Sequence, residues 1–310
     1  MVLKSDMSNL FLGIDIGGSS VKYGWGDSKT GLLHFAKVPL QNASKKALSD
    51  SVNHILSTVN SEIGPAEIVA VGVGTPGMIN RQTGRIEGIN PNLSDWVDID
   101  PKSIFPEEIS TKVIAENDAN LMALAEAKLL PEVTHVLGIT IGSGIGCGYV
   151  INGQIYRGTH GFAMELGHNT VVIDGALCNC GRRGCLEAYS SVNGMLNLIR
   201  NSGLQNEGVT NMQDLLLNSK KNGQIKKIID KSVEYLSIAI SNLVIDLDVE
   251  AVVLGGGVME IGYYPGQELK NRISNNLPNL LSKTLIVKTA VLGNKAGVMG
   301  AIHLAESEFV

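Results

Sequence analysis

Two stretches of the chain decide its fold: "GIDIGGSSVKYG" at residues 13–24 and "GITIGSGIGCGYV" at residues 138–150. Each runs from an apolar strand through a turn of small residues into a second strand, with a hydroxyl or carboxylate close to the glycines. Strand–turn–strand at this spacing is a β-hairpin signal. Its appearance twice in one chain reads most economically as a duplicated unit. Either stretch alone is no more than a tight hairpin turn. Two glycine-rich turns facing each other across a cleft would let backbone N–H groups cradle adjacent phosphates, because only glycine admits the main chain so closely. The pair therefore points to a phosphate donor.

Outward from these hairpins, apolar runs alternate with helical patterns, which predicts an α/β protein. Leu48, Val52, Ile55, Leu56 and Val59 lie at helical spacing within 44–61, and Gly64 stands beyond them as a stop. "EIVAVGVG" (67–74), "KVIAE" (112–116) and "AVVLGGG" (251–257) read as strands; "NLMALAEAKLL" (120–130), the long segment 224–247 and "AGVMGAIHLA" (296–305) read as helices. Residues 80–111 read as irregular. "GVGTPG" at 72–77 satisfies the G-x-G-x-x-G dinucleotide pattern. The adjoining "GMINRQTGRIEG" (77–88) has no helical periodicity, so no helix N-terminus would receive a pyrophosphate, and the dinucleotide reading is set aside.

Composition excludes other classes. The chain has 310 residues, 44% apolar and 18% charged, with a formal net charge of -5. It has no basic stripe to neutralise a phosphate backbone, which argues against nucleic acid as a partner. The N-terminus lacks the apolar core of a signal peptide and no apolar stretch reaches spanning length, so a cytoplasmic protein without a membrane partner is expected.

A reducing compartment disfavours disulfides, which sharpens the meaning of "CNCGRRGC" at 178–185, where three of the four cysteines gather. A disulfide would leave one of Cys178, Cys180 and Cys185 over, and a redox pair favours C-x-x-C. Four-coordinate structural zinc needs one more ligand, and His168 lies ten residues upstream. A Cys3His zinc site suits the segment better than three reduced surface thiols. Gly181 and Gly184 permit the turns that wrap a chain around an ion.

Taken in order, "GIDIGGSSVKYG", "GVGTPG", "NPNLSDW", "ENDANLMALAE", "IGSGIGCG", "ELGHNTV" and "CNCGRRGCLEAYSS" resemble the motifs of the ROK family of sugar kinases and related repressors, from residue 11 to about 300. The resemblance implies a two-lobed α/β actin-like ATPase (ribonuclease H-like) fold with a duplicated core and a central cleft. A small domain of residues 1–118, rejoined by a C-terminal helix at about 295–310, would face a large domain of 119–294 carrying the zinc site. The implied activity is transfer of a phosphoryl group from ATP, with Mg2+, to the terminal 6-hydroxyl of a hexose, glucose first. The alternatives are a kinase of N-acetylmannosamine or N-acetylglucosamine and a sugar-sensing regulator. The regulator is disfavoured because only about ten residues precede the first strand where a helix-turn-helix would stand. Polyphosphate in place of ATP stays open. A homodimer through the larger domain is also implied.

The resemblance also implies a role for each site residue. Asp118 is the base that takes the proton from the sugar hydroxyl, although Asp is also a favoured helix N-cap. Asp15 helps hold hydrated magnesium, against the plainer reading of a turn-stabilising carboxylate. Lys22 reaches a phosphate or is merely solvated. Gly17, Gly18 and Ser19 form the first phosphate turn, with Gly142, Ser143 and Gly144 in the second and Gly146 just beyond. Gly255, Gly256 and Gly257 abut the nucleoside. Glu165, His168 and Glu187 bind sugar hydroxyls with Asn92 and Asn117, and Gly77 allows close backbone approach. His168 is thus both metal ligand and sugar ligand, and Glu187 lies two residues after Cys185. Zinc there would pin the loop that binds sugar and, with four protein ligands, keeps no position open for Lewis-acid work. Met164 stands where the family commonly has glycine before Glu165. Cys147 and Tyr149 are expected only to pack.

Overall fold

The first hairpin stretch folds as read: β1 (Leu10–Ile16) turns at Gly17–Ser19 into β2 (Ser20–Asp27), antiparallel, with Asp15 opposite Lys22. The computed structural model describes residues 9–42, 44–64, 67–88, 94–204, 208–261 and 264–310. Asn92 lies outside them. β2 pairs onward with β3 (Gly31–Pro39), an edge strand of half-exposed residues whose "GLLHFAKVP" lacks the alternation that would have announced it. α1 (Lys45–Glu62) begins where Ser44 Oγ accepts from the Ala47 N–H at 3.2 Å, and it buries Leu48, Val52, Ile55 and Val59. β4 (Ile68–Thr75) lies parallel to β1. After Gly77 comes no helix but a two-residue strand, β5 (Met78–Ile79), paired with β6 (Ile86–Glu87), so the dinucleotide pattern at 72–77 has no helix to serve. α2 (Glu107–Ser110) precedes β7 (Val113–Asn117), parallel to β4, and α3 (Asp118–Ala127) continues from it without a break.

The second hairpin stretch repeats the plan. β8 (His135–Ile141) and β9 (Ile145–Ile151) pair antiparallel around Gly142–Gly144, and β10 (Gln154–Ile155) continues the edge. The helices α4 (Glu187–Ser190), α5 (Val192–Asn201), α6 (Met212–Ser219) and α7 (Gly223–Leu247) come next. β11 (Ala251–Gly255) lies parallel to β8; α8 (Gly266–Asn275) and α9 (Asn279–Thr284) lead to β12 (Ile286–Thr289), parallel to β11. The chain closes with α10 (Ala296–Phe309). The sheet orders are β3-β2-β1-β4-β7 and β10-β9-β8-β11-β12, with matching strand directions, so the duplication inferred from two turns extends to the whole of both sheets.

Two compact units result: residues 1–125, 157–163 and 294–310, and residues 126–156 and 164–293. The division falls inside α3, not at 118, because α3 packs into the first unit, where its Leu121 backbone leaves no room for a Cβ at Gly300 of α10. In the first unit α10 lies directly on the sheet: a Cβ at Gly13 or Gly72 would run into the backbone of Val298 or Ala301. In the second, α7 buries Ile225, Ile229, Val233, Leu236, Ile240 and Val244 in the core that residues of β8, β9 and β11 share, with α4, α5, α6 and α8 beside it. Each such side chain is worth roughly 1.5–3 kcal/mol of burial. Among the described residues no helix is long and apolar enough to cross a membrane.

Candidate active site and metal centre

The segment Glu116–Asn120 sits where β7 becomes α3, and it divides its polar work among four neighbours. Asn117, not Asp118, caps the helix: its Oδ1 accepts from the N–H of Ala119 at 2.9 Å and of Asn120 at 3.2 Å, while its Nδ2 donates to Gly77 O at 3.2 Å. Gly77 holds φ at +103°, the left-handed region that glycine tolerates. Glu116 is buried and braces the turn from below, its Oε1 accepting from the Asn117 N–H at 3.0 Å and from Asn120 Nδ2 at 2.9 Å. Its other oxygen is paired with Arg157 Nε. Asp118, half-buried, keeps one bond of its own, Oδ1 to the Ala119 N–H at 2.9 Å. Desolvation, and then the nearby Asp15 carboxylate, push its pKa up to about 6.

Asp15 stands near the end of β1, not in the turn itself, and its Oδ2 meets Lys22 Nζ at 3.1 Å. The first turn of α10 closes in behind it. A Cβ at Gly297 would stand 2.6 Å from the Asp15 Cγ, so only glycine lets that helix approach the carboxylate. Gly18 and Ser19 of the turn are exposed, and the turn is held by the Gly17 N–H donating to Ser20 O at 3.0 Å. The structure thus brings Asp15, Lys22 and Asp118 into one electrostatic neighbourhood. Glu116, Arg157 and Gly297 escaped sequence reading: Arg157 is 41 positions from its partner, and no spacing rule links them.

In the second unit the four candidate metal ligands come together. His168, Cys178, Cys180 and Cys185 place their ligand atoms within 4.8 Å of one another. His168 Nδ1 lies 3.7 Å from Cys178 Sγ, and Cys180 Sγ lies 3.7 Å from Cys185 Sγ. Tetrahedral zinc with Zn–S near 2.3 Å sets ligand atoms about 3.5–3.8 Å apart, so the residues fit that ion. Burial above all pushes the Cys178 thiol up to about 12, so its thiolate form requires a cation beside it. The loop is shaped by Cys178 N–H donating to Arg182 O at 2.8 Å and by a bridge between Thr170 and Cys185. Arg182 adds bonds to His168 O at 3.2 Å and Thr170 Oγ1 at 3.1 Å. The second nitrogen of His168, Nε2, lies 3.9 Å from Glu165 Oε2, so one ring faces both the cysteines and a sugar-ligand candidate. Met164 adopts φ +68°, which is the physical reason a glycine suits that position.

Glu187 does more than the sequence suggested: its Oε2 accepts from the Ile145 N–H at 3.0 Å, just beyond Gly142–Gly144. Gly256, at φ +89°, packs against the Ile141 backbone, which sets the 255–257 segment beside the same turn. Cys147 is buried, and Tyr149 packs with its hydroxyl 2.6 Å from His135 Nδ1.

The chain is 30% identical over 325 residues to the glucokinase of Halalkalibacterium halodurans, covering 96% of this chain and 95% of that one. It is 29% identical to the N-acetyl-D-glucosamine kinase of Histophilus somni over 311 residues, 95% of this chain and 98% of that one. Its fold superimposes on the ROK family glucokinase from Streptomyces griseus, solved with glucose and AMPPNP, at a TM-score of 0.79 and 26% identity, covering 96% and 99% of the two chains. With residues 11–308 matching the family as a whole and both sheets built on the actin-like ATPase plan, the chain belongs to the ROK family.

Proposed function

We propose that this chain, an ATP-dependent ROK sugar kinase, phosphorylates the 6-hydroxyl of a hexose, glucose first, with Asp118 as the base. The observation that carries this reading is the division of labour at the start of α3. Asn117 takes the capping role, which leaves Asp118 free to accept a proton. Its pKa of about 6 keeps it ionised at neutral pH yet makes it a better base than an ordinary carboxylate. As the sugar oxygen forms its bond to the terminal phosphorus of the donor, the bond to the bridging oxygen breaks and the hydroxyl proton passes to Asp118.

Other residues bind and orient. The turns at 17–19 and 142–144 offer backbone N–H groups to the donor phosphates, and Gly255–Gly257 offer a flat backbone to the nucleoside. Asp15, held by Lys22, is the carboxylate that would retain hydrated magnesium, which when bound spreads the charge developing on the transferred group. Glu165, His168 and Glu187 would grip sugar hydroxyls, and zinc on His168, Cys178, Cys180 and Cys185 would hold that loop in shape. Asn117 and Gly77 support the acceptor side. A homodimer through the second unit is the assembly the family resemblance implies, and Ile238 and Ile245 on α7, 41% and 44% exposed, are residues it could cover.

An amino-sugar kinase is the second reading, supported by the comparable identity to an N-acetyl-D-glucosamine kinase. An ADP-release assay with ATP and magnesium across glucose, mannose, fructose, N-acetylglucosamine and N-acetylmannosamine separates them. Turnover on glucose with phosphate at carbon 6 is the expected result. Preference for an N-acetyl sugar replaces the first reading by the second, and turnover only with polyphosphate moves the donor. Silence on all sugars with both donors overturns the kinase reading.

A further inference from the structure

The turn between β8 and β9 is not self-supporting. Within it only the Gly142 N–H donates, to Gly144 O at 3.0 Å. Its other supports come from elsewhere in the second unit. Gly142 O accepts from the Val192 N–H at 2.9 Å, at the start of α5. The Ile145 N–H donates to Glu187 Oε2 at 3.0 Å. On its opposite side the Ile145 carbonyl lies so close to Gly167 that a Cβ there would overlap it. Ile145 is therefore hydrogen-bonded through its N–H to Glu187 and packed through its C=O against Gly167.

Both contact residues are sequence neighbours of candidate metal ligands. Glu187 lies two positions after Cys185, and Gly167 immediately precedes His168. Between the two arms the backbone supplies the Thr170–Cys185 bridge and the Leu186 N–H donating to Asn169 O at 2.9 Å. The His168–Cys178–Cys180–Cys185 cluster closes the same loop with four ligand atoms within 4.8 Å of one another. An ion held there would fix the spacing between the arm that carries Gly167 and the arm that carries Glu187.

We propose that the Cys3His cluster splints the β8–β9 turn through Glu187 and Gly167, so that metal occupancy orders the donor side as well as the sugar side. The role assigned to Glu187 is positioning: it acts on the donor through the Ile145 backbone. The donor half of this inference rests on reading 142–144 as a phosphate turn; the splint itself does not.

The test uses the metal-loaded protein, the chelated protein and two variants, Glu187→Ala and Glu187→Gln, with metal content measured in each. Amide hydrogen exchange at Ile145 reports the splint, and the affinity for magnesium AMPPNP without sugar reports the donor side. Chelation and Glu187→Ala should each speed Ile145 exchange and weaken AMPPNP binding by about tenfold, the size expected for losing one charge-assisted hydrogen bond. Glu187→Ala should do so with its metal retained. Glu187→Gln keeps a carbonyl acceptor and should stay within about threefold of wild type. Unchanged Ile145 exchange on chelation of the wild-type protein overturns the proposal even if a variant fails to fold. Faster exchange with unchanged AMPPNP affinity leaves the splint standing and removes the donor role from the turn.

Discussion

Asn117 and Asp118 are adjacent residues that both suit a helix N-cap, and the site depends on which of them takes the task. Asn117 does, through Oδ1, and the carboxylate beside it remains available. The same burial that raises the pKa of Asp118 makes its charge a cost to the fold, which gives two linked predictions. Asp118→Asn should lower turnover by about 10²–10⁴-fold or more while sugar binding persists. It should also raise thermal stability at neutral pH. A carboxyl with a folded pKa of about 6 against an ordinary 3.8 favours folding most below its unfolded value, and that contribution is lost as pH rises through about 6. Removing the charge recovers at most about 3 kcal/mol at pH 7, less for the part of Asp118 open to solvent. A melting curve that falls instead would show that the carboxylate is stabilising. In the wild type, kcat/KM should fall as pH drops through about 6, and the Asn variant should lose that limb.

Met164 is a second residue whose backbone matters more than its side chain's chemistry. At φ +68° it carries strain of order 1 kcal/mol, and its side chain repays some of this by packing against the core of the second unit. Met164→Gly should therefore leave stability within about 1 kcal/mol of wild type, since the strain relieved and the packing lost oppose each other. The profile across the five sugars, measured by ADP release, should shift, because the change lies beside Glu165. An unchanged profile would remove this position from acceptor selection.

At the scale of elements, the junction of β7 and α3 is held by the buried pair Glu116–Arg157, with Arg157 reaching in from the 157–163 segment that belongs to the first unit. Breaking such a pair leaves an uncompensated buried charge, whereas replacing both partners by apolar groups costs far less. Arg157→Met should destabilise the protein by about 3–5 kcal/mol, and Glu116→Met combined with it should recover much of the loss in denaturant titrations. Additive losses would mean that the two charges do not compensate each other. The hairpin partners β1 and β2, the amphipathic α1 and the long α7 were legible because hydrophobic period marks them, while the Ser44 cap came from the structure. β3, β12 and the short helices α5, α6, α8 and α9 were not, because edge strands and single-faced short helices take their pattern from packing partners far along the chain.

For the whole molecule, the two sheets share one topology, yet among the described residues the candidate metal cluster lies in the second unit. One zinc per chain is expected, and its removal, by chelator or by Cys180→Ala, should lower the melting temperature and weaken sugar binding together. Because a structural ion's binding energy is folding energy, the loss of protection should centre on residues 164–192 and leave α1 and β1 unchanged in hydrogen exchange. Sugar affinity that survives metal loss would end the argument that the ion holds the sugar loop.

The sequence by itself determined the duplicated α/β plan and the candidate metal ligands, because glycine turns and cysteine spacing are local signals whose chemistry needs no distant partner, and its resemblance to a family singled out Asp118, which its own local signal marks equally as a helix cap. Tertiary structure decided what holds them in place. Arg157 against Glu116, Gly297 behind Asp15 and Glu187 on the Ile145 amide join residues 41, 282 and 42 positions apart. Only the packing of sheet, helix and loop brings such groups into contact, and no periodicity along the chain encodes that distance.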